Sequence, residues 1–96
     1  MKMITINNIE YEVVKNVGDA VDVEEITKYL TDYFDAFDYV FGDYAYGKLR
    51  LKGFNNKENK NCKSYNDIAN LEEYIEKYCA FGCRHFLLAR KSSKES

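Results

Sequence analysis

Ile9, Tyr11 and Val13 alternate with Glu10 and Glu12, a period of two that places apolar groups on one face of a strand and carboxylates on the other. Met3-Ile4-Thr5-Ile6, just before, is also β-rich, and Asn7-Asn8 between the runs tolerates the positive φ of a two-residue hairpin. The two runs are expected to pair, with a turn at Gly18-Asp19 after them. From Asp22 the period lengthens to that of a helix: Ile26, Tyr29, Leu30, Tyr33, Phe34 and Phe37 fall on one stripe. Asp22 stands in N-cap position with Glu25 three residues on. Glu24, Lys28, Asp32 and Asp35 make the solvated side.

From Tyr39 to Phe54 the pattern returns to β. Gly42-Asp43 and Gly47 punctuate it, and Lys48-Leu49-Arg50-Leu51-Lys52 alternates strictly. Residues 55–61, Asn55-Asn56-Lys57-Glu58-Asn59-Lys60-Asn61, read as an exposed, mobile polar loop. A second helix is expected to open between Ser64 and Asp67, with Ile68, Leu71, Ile75, Tyr78 and Cys79 on its apolar stripe and Gly82 at its end. Arg84-His85-Phe86-Leu87-Leu88-Ala89-Arg90 has apolar residues on both faces, which suits an interior strand. Residues 92–96 are a polar tail expected to fray.

The resulting order is ββα-ββα-β, a single small α+β domain over residues 1–91 with about five mostly antiparallel strands and two helices on one face. At 96 residues there is one small core and no room for two. Nine Tyr and six Phe exclude a disordered, self-repelling chain. No run reaches the roughly 18–20 apolar residues of a membrane span, and the first residues do not form a secretory leader. Three cysteines are too few and odd in number for a disulfide framework, so free thiols in the cytoplasm are expected.

The 17-residue run Asp38-Tyr39-Val40-Phe41-Gly42-Asp43-Tyr44-Ala45-Tyr46-Gly47-Lys48-Leu49-Arg50-Leu51-Lys52-Gly53-Phe54 resembles the signature of the YutD-like family, small cytosolic proteins of low-GC Gram-positive bacteria. A second block, Glu73-Tyr74 and then Tyr78-Cys79-Ala80-Phe81-Gly82-Cys83, is similar to that family's C-terminal motif. The chain departs from the pattern at Tyr44-Ala45, where the family commonly carries Trp-Gly. The motif positions that the resemblance brings forward are Gly42, Asp43, Gly47, Gly53, Cys79, Phe81, Gly82 and Cys83. It implies a fold and a cytosolic setting but no reaction, and no cofactor.

Three constellations can carry chemistry. Strand alternation puts Lys48, Arg50 and Lys52 on one face about 6–7 Å apart, a spacing close to the phosphate repeat of a nucleic-acid strand. Tyr44, Tyr46 and Phe54 flank them, and Arg84 lies in the same basic half. Cations beside aromatic faces hold single-stranded nucleic acid. The plainer reading is a half-exposed strand with solubilising lysines. Cys62, Cys79, Cys83 and His85 make a Cys3His set for Zn²⁺ or a thiol site, although the C-x3-C spacing is not that of a zinc knuckle. Buried packing of the cysteines is the plainer alternative. Asp38, Asp43 and Arg50, beside Gly42 and Gly47 that permit close backbone approach, make a third candidate site, with a cross-hairpin ion pair of Asp43 to Lys48 or Arg50 as the plainer reading.

Charge changes the picture last. Residues 1–43 hold 3 Lys/Arg and 10 Asp/Glu, residues 44–96 hold 11 and 6, so −7 and +5 cancel to the net −2. The basic half carries the family signature. The functional expectation is a non-enzymatic binding or regulatory module in which the basic, aromatic hairpin meets RNA or another polyanion. The alternative is an adaptor that binds a protein partner through its tyrosines or an open sheet edge. Monomer and dimer both remain open.

Overall fold

Asn7 and Asn8 both take positive φ, 54° and 68°, the geometry of a tight hairpin turn whose twist matches the strands it joins. They link β1 (Lys2–Ile6) to β2 (Ile9–Val17). The computed structural model of the chain describes residues 2–45, 47–78 and 83–91. In them β3 (Tyr39–Ala45), β4 (Lys48–Phe54) and β5 (His85–Arg90) complete one sheet in the order β1-β2-β5-β3-β4, with every neighbouring pair antiparallel. The small α+β domain and the interior position of the last strand are as expected. Gly42-Asp43, expected to punctuate, lies inside β3.

Asp22 caps α1 (Val23–Tyr29) by accepting the Glu25 N–H at 3.2 Å. The helix is shorter than its periodicity predicts. Leu30 turns extended before Thr31-Asp32, whose side chains favour caps over helix interiors, and a 3-10 turn at Asp32–Ala36 carries the stripe onward. Ile26, Leu30 and Phe34 are buried on both sides of the break. α2 (Leu71–Tyr78) follows two 3-10 turns, at 64–66 and 68–70.

The two helices lie on opposite faces of the sheet, which corrects the one-face arrangement. Val40, Phe86, Leu88 and Leu49 point to the α1 side and form one core with Ile6, Tyr11, Ile26, Leu30 and Phe34. Their neighbours Phe41, Leu87 and Phe54 point the other way and pack with Leu71, Tyr74 and Ile75 of α2. Alternation makes the two sets opposite. β5 shows the consequence: Phe86, Leu87 and Leu88 are all buried, and three consecutive apolar residues can be buried only if both faces are covered.

The polar stretch after β4 is largely exposed, as expected, but it is anchored at its start. Asn55 is fully buried. Its side-chain oxygen accepts the Asp38 N–H at 3.1 Å and the Asn59 amide at 3.2 Å, while Asp38 Oδ2 accepts the Asn56 N–H at 2.9 Å. Asn side chains can donate and accept like backbone, so this asparagine-rich run satisfies itself. Gly42 and Gly53 have a packing role, since a Cβ at either would collide with the ring of Phe86 or Phe37.

Candidate functional site

Lys48, Arg50 and Lys52 do share one face of β4, facing the α2 side, while Leu49 is buried in the other core and Leu51 packs against it. Three different environments divide the row. Lys48 is exposed. Arg50 forks onto the buried Asp43 carboxylate, donating from Nε at 3.0 Å and from Nη2 at 2.6 Å, and Nη2 also reaches the Tyr78 carbonyl at 3.3 Å. This is the cross-strand pair that the spacing allowed. Lys52 is half-buried, its ammonium over the rings of Phe54 at 5.2 Å, Tyr74 at 5.6 Å and Tyr65 at 5.7 Å. Burial holds its pKa below the ordinary lysine value.

The aromatic flank differs from the expectation. Phe54 has no exposed surface, so it is core beneath Lys52 and offers no face to a base. Tyr44 points to the opposite side, its hydroxyl donating to the Ala20 carbonyl at 3.1 Å. Arg84 stacks on that ring, 4.3 Å from its centre, and reaches the Asp19 carbonyl. Arg84 therefore does not join the row on β4. Tyr46 lies outside the described residues.

Around Lys52 the fold assembles side chains that the sequence reading left apart. Tyr65, Tyr74, Lys77 and Tyr78 line a cleft of about 330 Å³ with Lys52. Tyr74 and Tyr78 are one helical turn apart, with ring centres 4.8 Å apart. Tyr78, expected on the apolar stripe, is 60% exposed, and Tyr65 is 70% exposed. A solitary Tyr65 within a polar run was the available signal. A second cleft of about 210 Å³ adjoins the first along the same strand, sharing Lys52 and Tyr65 with it and reaching Tyr33, Phe37, Leu51 and Gly53 toward the α1 side.

The thiol constellation has less support. Cys83 is disulfide-bonded, which corrects the expectation of a free thiol at that position and leaves no thiolate there to bind zinc. Cys79, Phe81 and Gly82 lie outside the described residues. Cys62 is a free, half-buried thiol held above its ordinary pKa by desolvation and the neighbouring Asp67, the reverse of an activated nucleophile. The His85 ring lies against Phe41, with Nδ1 3.0 Å from the Cys83 carbonyl. Among the described residues no three His, Cys, Asp or Glu side chains converge on a metal position. Gly47, with φ of 75°, serves the β3–β4 turn.

A family model described as "Putative antitoxin YutD-like" matches residues 5–89. The chain belongs to the YutD-like family. A protein of Bacillus subtilis (strain 168) named "Putative antitoxin YutD" is 42% identical over 88 residues, spanning 92% of this chain and 97% of its own. The solution NMR structure of protein yutD from B. subtilis superposes with a TM-score of 0.79 at 40% identity, covering all of this chain and 87% of that one. The run that resembles the family signature thus falls on β3 and β4, where the buried Asp43 and the glycines packed under Phe86 and Phe37 are parts of the fold. Among the described residues no helix is long and apolar enough to cross a membrane.

Proposed function

We propose that this YutD-like chain is a non-enzymatic cytoplasmic module that acts as an antitoxin by binding a protein partner along the tyrosine-lined margin of β4. The observation that carries the reading is the pair of clefts along that strand, with Tyr33, Tyr65 and Tyr78 each exposed by more than half. Tyrosines are enriched at protein interfaces because the ring buries apolar area while the hydroxyl stays hydrogen-bonded. The name of the Bacillus relative, "Putative antitoxin YutD", agrees with an activity exerted by binding.

The polyanion reading keeps Lys48, Lys52 and Lys77 as its support, but Arg50 is engaged by Asp43 and Arg84 by Tyr44. That leaves a shorter cationic row than the sequence proposed. The test is purification of the tagged chain from bacterial lysate with and without nuclease, followed by co-expression with whatever copurifies. A stoichiometric, nuclease-resistant polypeptide whose growth inhibition is relieved by this chain is expected. RNA binding that falls steeply with salt, with no such polypeptide, would replace the reading by the polyanion one.

A further inference from the structure

β4 is an edge strand, and its free side can be worked out residue by residue. The Asp38 carbonyl accepts from Arg90 and the Tyr44 N–H donates to Arg84, so the even-numbered residues of β3 turn toward β5. Tyr39, Phe41, Asp43 and Ala45 then turn toward β4, where they pair with Phe54, Lys52, Arg50 and Lys48. Leu49, Leu51 and Gly53 remain, with their N–H and C=O groups aimed outward. The next outward residue, Asn55, shows the edge in use: its N–H donates to the Asn66 carbonyl at 2.7 Å and its carbonyl accepts from Ile68 at 2.9 Å, as a short parallel bridge. The chain's own segment stops there, and among the described residues nothing pairs with the edge from Gly53 back to Leu49.

Proteins usually blunt such an edge with lysines, a bulge, a proline or a very short strand, and β4 carries the first of these in Lys48 and Lys52. β4 has seven residues in unbroken register and no proline. It also has two adjoining clefts along it, one reaching the α2 side and one the α1 side. A strand added beside β4 would send alternate side chains into the two clefts. On the α2 side they would meet Lys52, which forms no ion pair among the described residues, and Lys77 beyond it. On the α1 side they would meet Tyr33, Phe37 and Leu51.

We propose that Leu49, Leu51 and Gly53 accept one added β-strand from the protein partner, a strand in which a carboxylate facing Lys52 alternates with large apolar side chains facing Tyr33 and Phe37. This rests on the protein-partner reading and specifies how the partner is held. Main-chain bonds to the three outward residues supply the common part of the affinity, and the Lys52 cleft selects the acidic side chain.

The probe is a short synthetic peptide in which Glu alternates with Phe and Val, added to the full chain and followed by amide hydrogen exchange and NMR shifts. The expected result is saturable binding that slows exchange at Leu49, Leu51 and Gly53 and leaves Lys48, Arg50 and Lys52, already bonded to β3, unchanged. N-methylation of the alternate peptide amides that face the edge abolishes binding, and methylation of the other set spares it. Lys52→Gln weakens the Glu peptide about tenfold and removes its advantage over a Gln counterpart. Three results overturn the proposal: no protection of the three amides at millimolar peptide, equal effects of the two methylation sets, or the same protection arising from self-association of the chain alone. If the copurified partner binds while these amides stay unprotected, strand addition is overturned and the partner reading stands. If no protein partner is found, that reading fails first.

Discussion

The two faces of the sheet are covered differently. On the α1 side ten buried residues, Ile6 to Leu88 along the chain, form a core that is hydrocarbon and aromatic throughout. On the α2 side only Phe41, Phe54, Leu71 and Leu87 are buried as a cluster. Around them lie a buried carboxylate, a forked guanidinium, a caged ammonium and an imidazole. Apolar burial stabilises roughly in proportion to area, whereas a half-buried ion gains little once desolvation is subtracted. The α1 face therefore holds the fold, and the α2 face, with the open β4 margin beside it, presents chemistry.

The largest expected effect breaks the α1 side. Phe86→Ala removes a fully buried ring and should cost about 3–5 kcal/mol, read as a lowered urea midpoint. A much smaller loss would mean that the two cores share the load. Gly53→Ala forces a Cβ into the Phe37 ring and should cost about 1–3 kcal/mol by the same measurement. Asp43→Asn tests the α2 side. Because Arg50 is half exposed, water compensates part of the lost pair, and about 1–2 kcal/mol is expected rather than the full penalty of a buried ion. Lys52→Met should leave the urea midpoint within about 1 kcal/mol of the parent, since lost cation–π attraction offsets relieved desolvation. A large loss would make Lys52 a structural residue.

The smallest effect is in pH. Burial raises the pKa of Tyr11 in the α1 core and of Tyr74 under α2, with Asp43 also raising Tyr74. The native chain keeps phenol protons that the unfolded chain releases near pH ~10. Their contribution is complete below that pH and declines as pH rises through the native values. Lys52, lowered, works in the opposite sense over the same range. Alkaline urea titrations should show declining stability, shallower in Tyr11→Phe. No change of slope in that variant would leave Tyr44 and Tyr74, also raised by burial, as the titrating phenols.

Much of the fold was legible because its signals are local. The Asn7-Asn8 turn, the Asp22 cap, the alternation in β2 and β4 and the apolar run of β5 each act within a few residues. What was not legible depends on contacts far along the chain. Asn55 reads as loop by composition, yet it is buried because Asp38, 17 residues earlier, needs its side chain. Phe54 and Tyr78 exchanged places, the expected platform becoming core and the expected core residue reaching solvent. A period of 3.6 or 2 defines a stripe or a face but not how deeply it is covered.

By itself the sequence determined the elements, their order, the membership in the YutD-like family and the segregation of acidic from basic residues, all properties of neighbouring positions. Only the tertiary structure decided that the helices take opposite faces, that Arg50 is bound to Asp43, that Arg84 stacks away from β4 and that Lys52 is gathered under three rings. These depend on which strand lies beside which. With β5 inserted between the two hairpins, β4 becomes an edge, and a strand that reads as an ordinary amphipathic run gains a row of backbone groups with no strand beside it among the described residues.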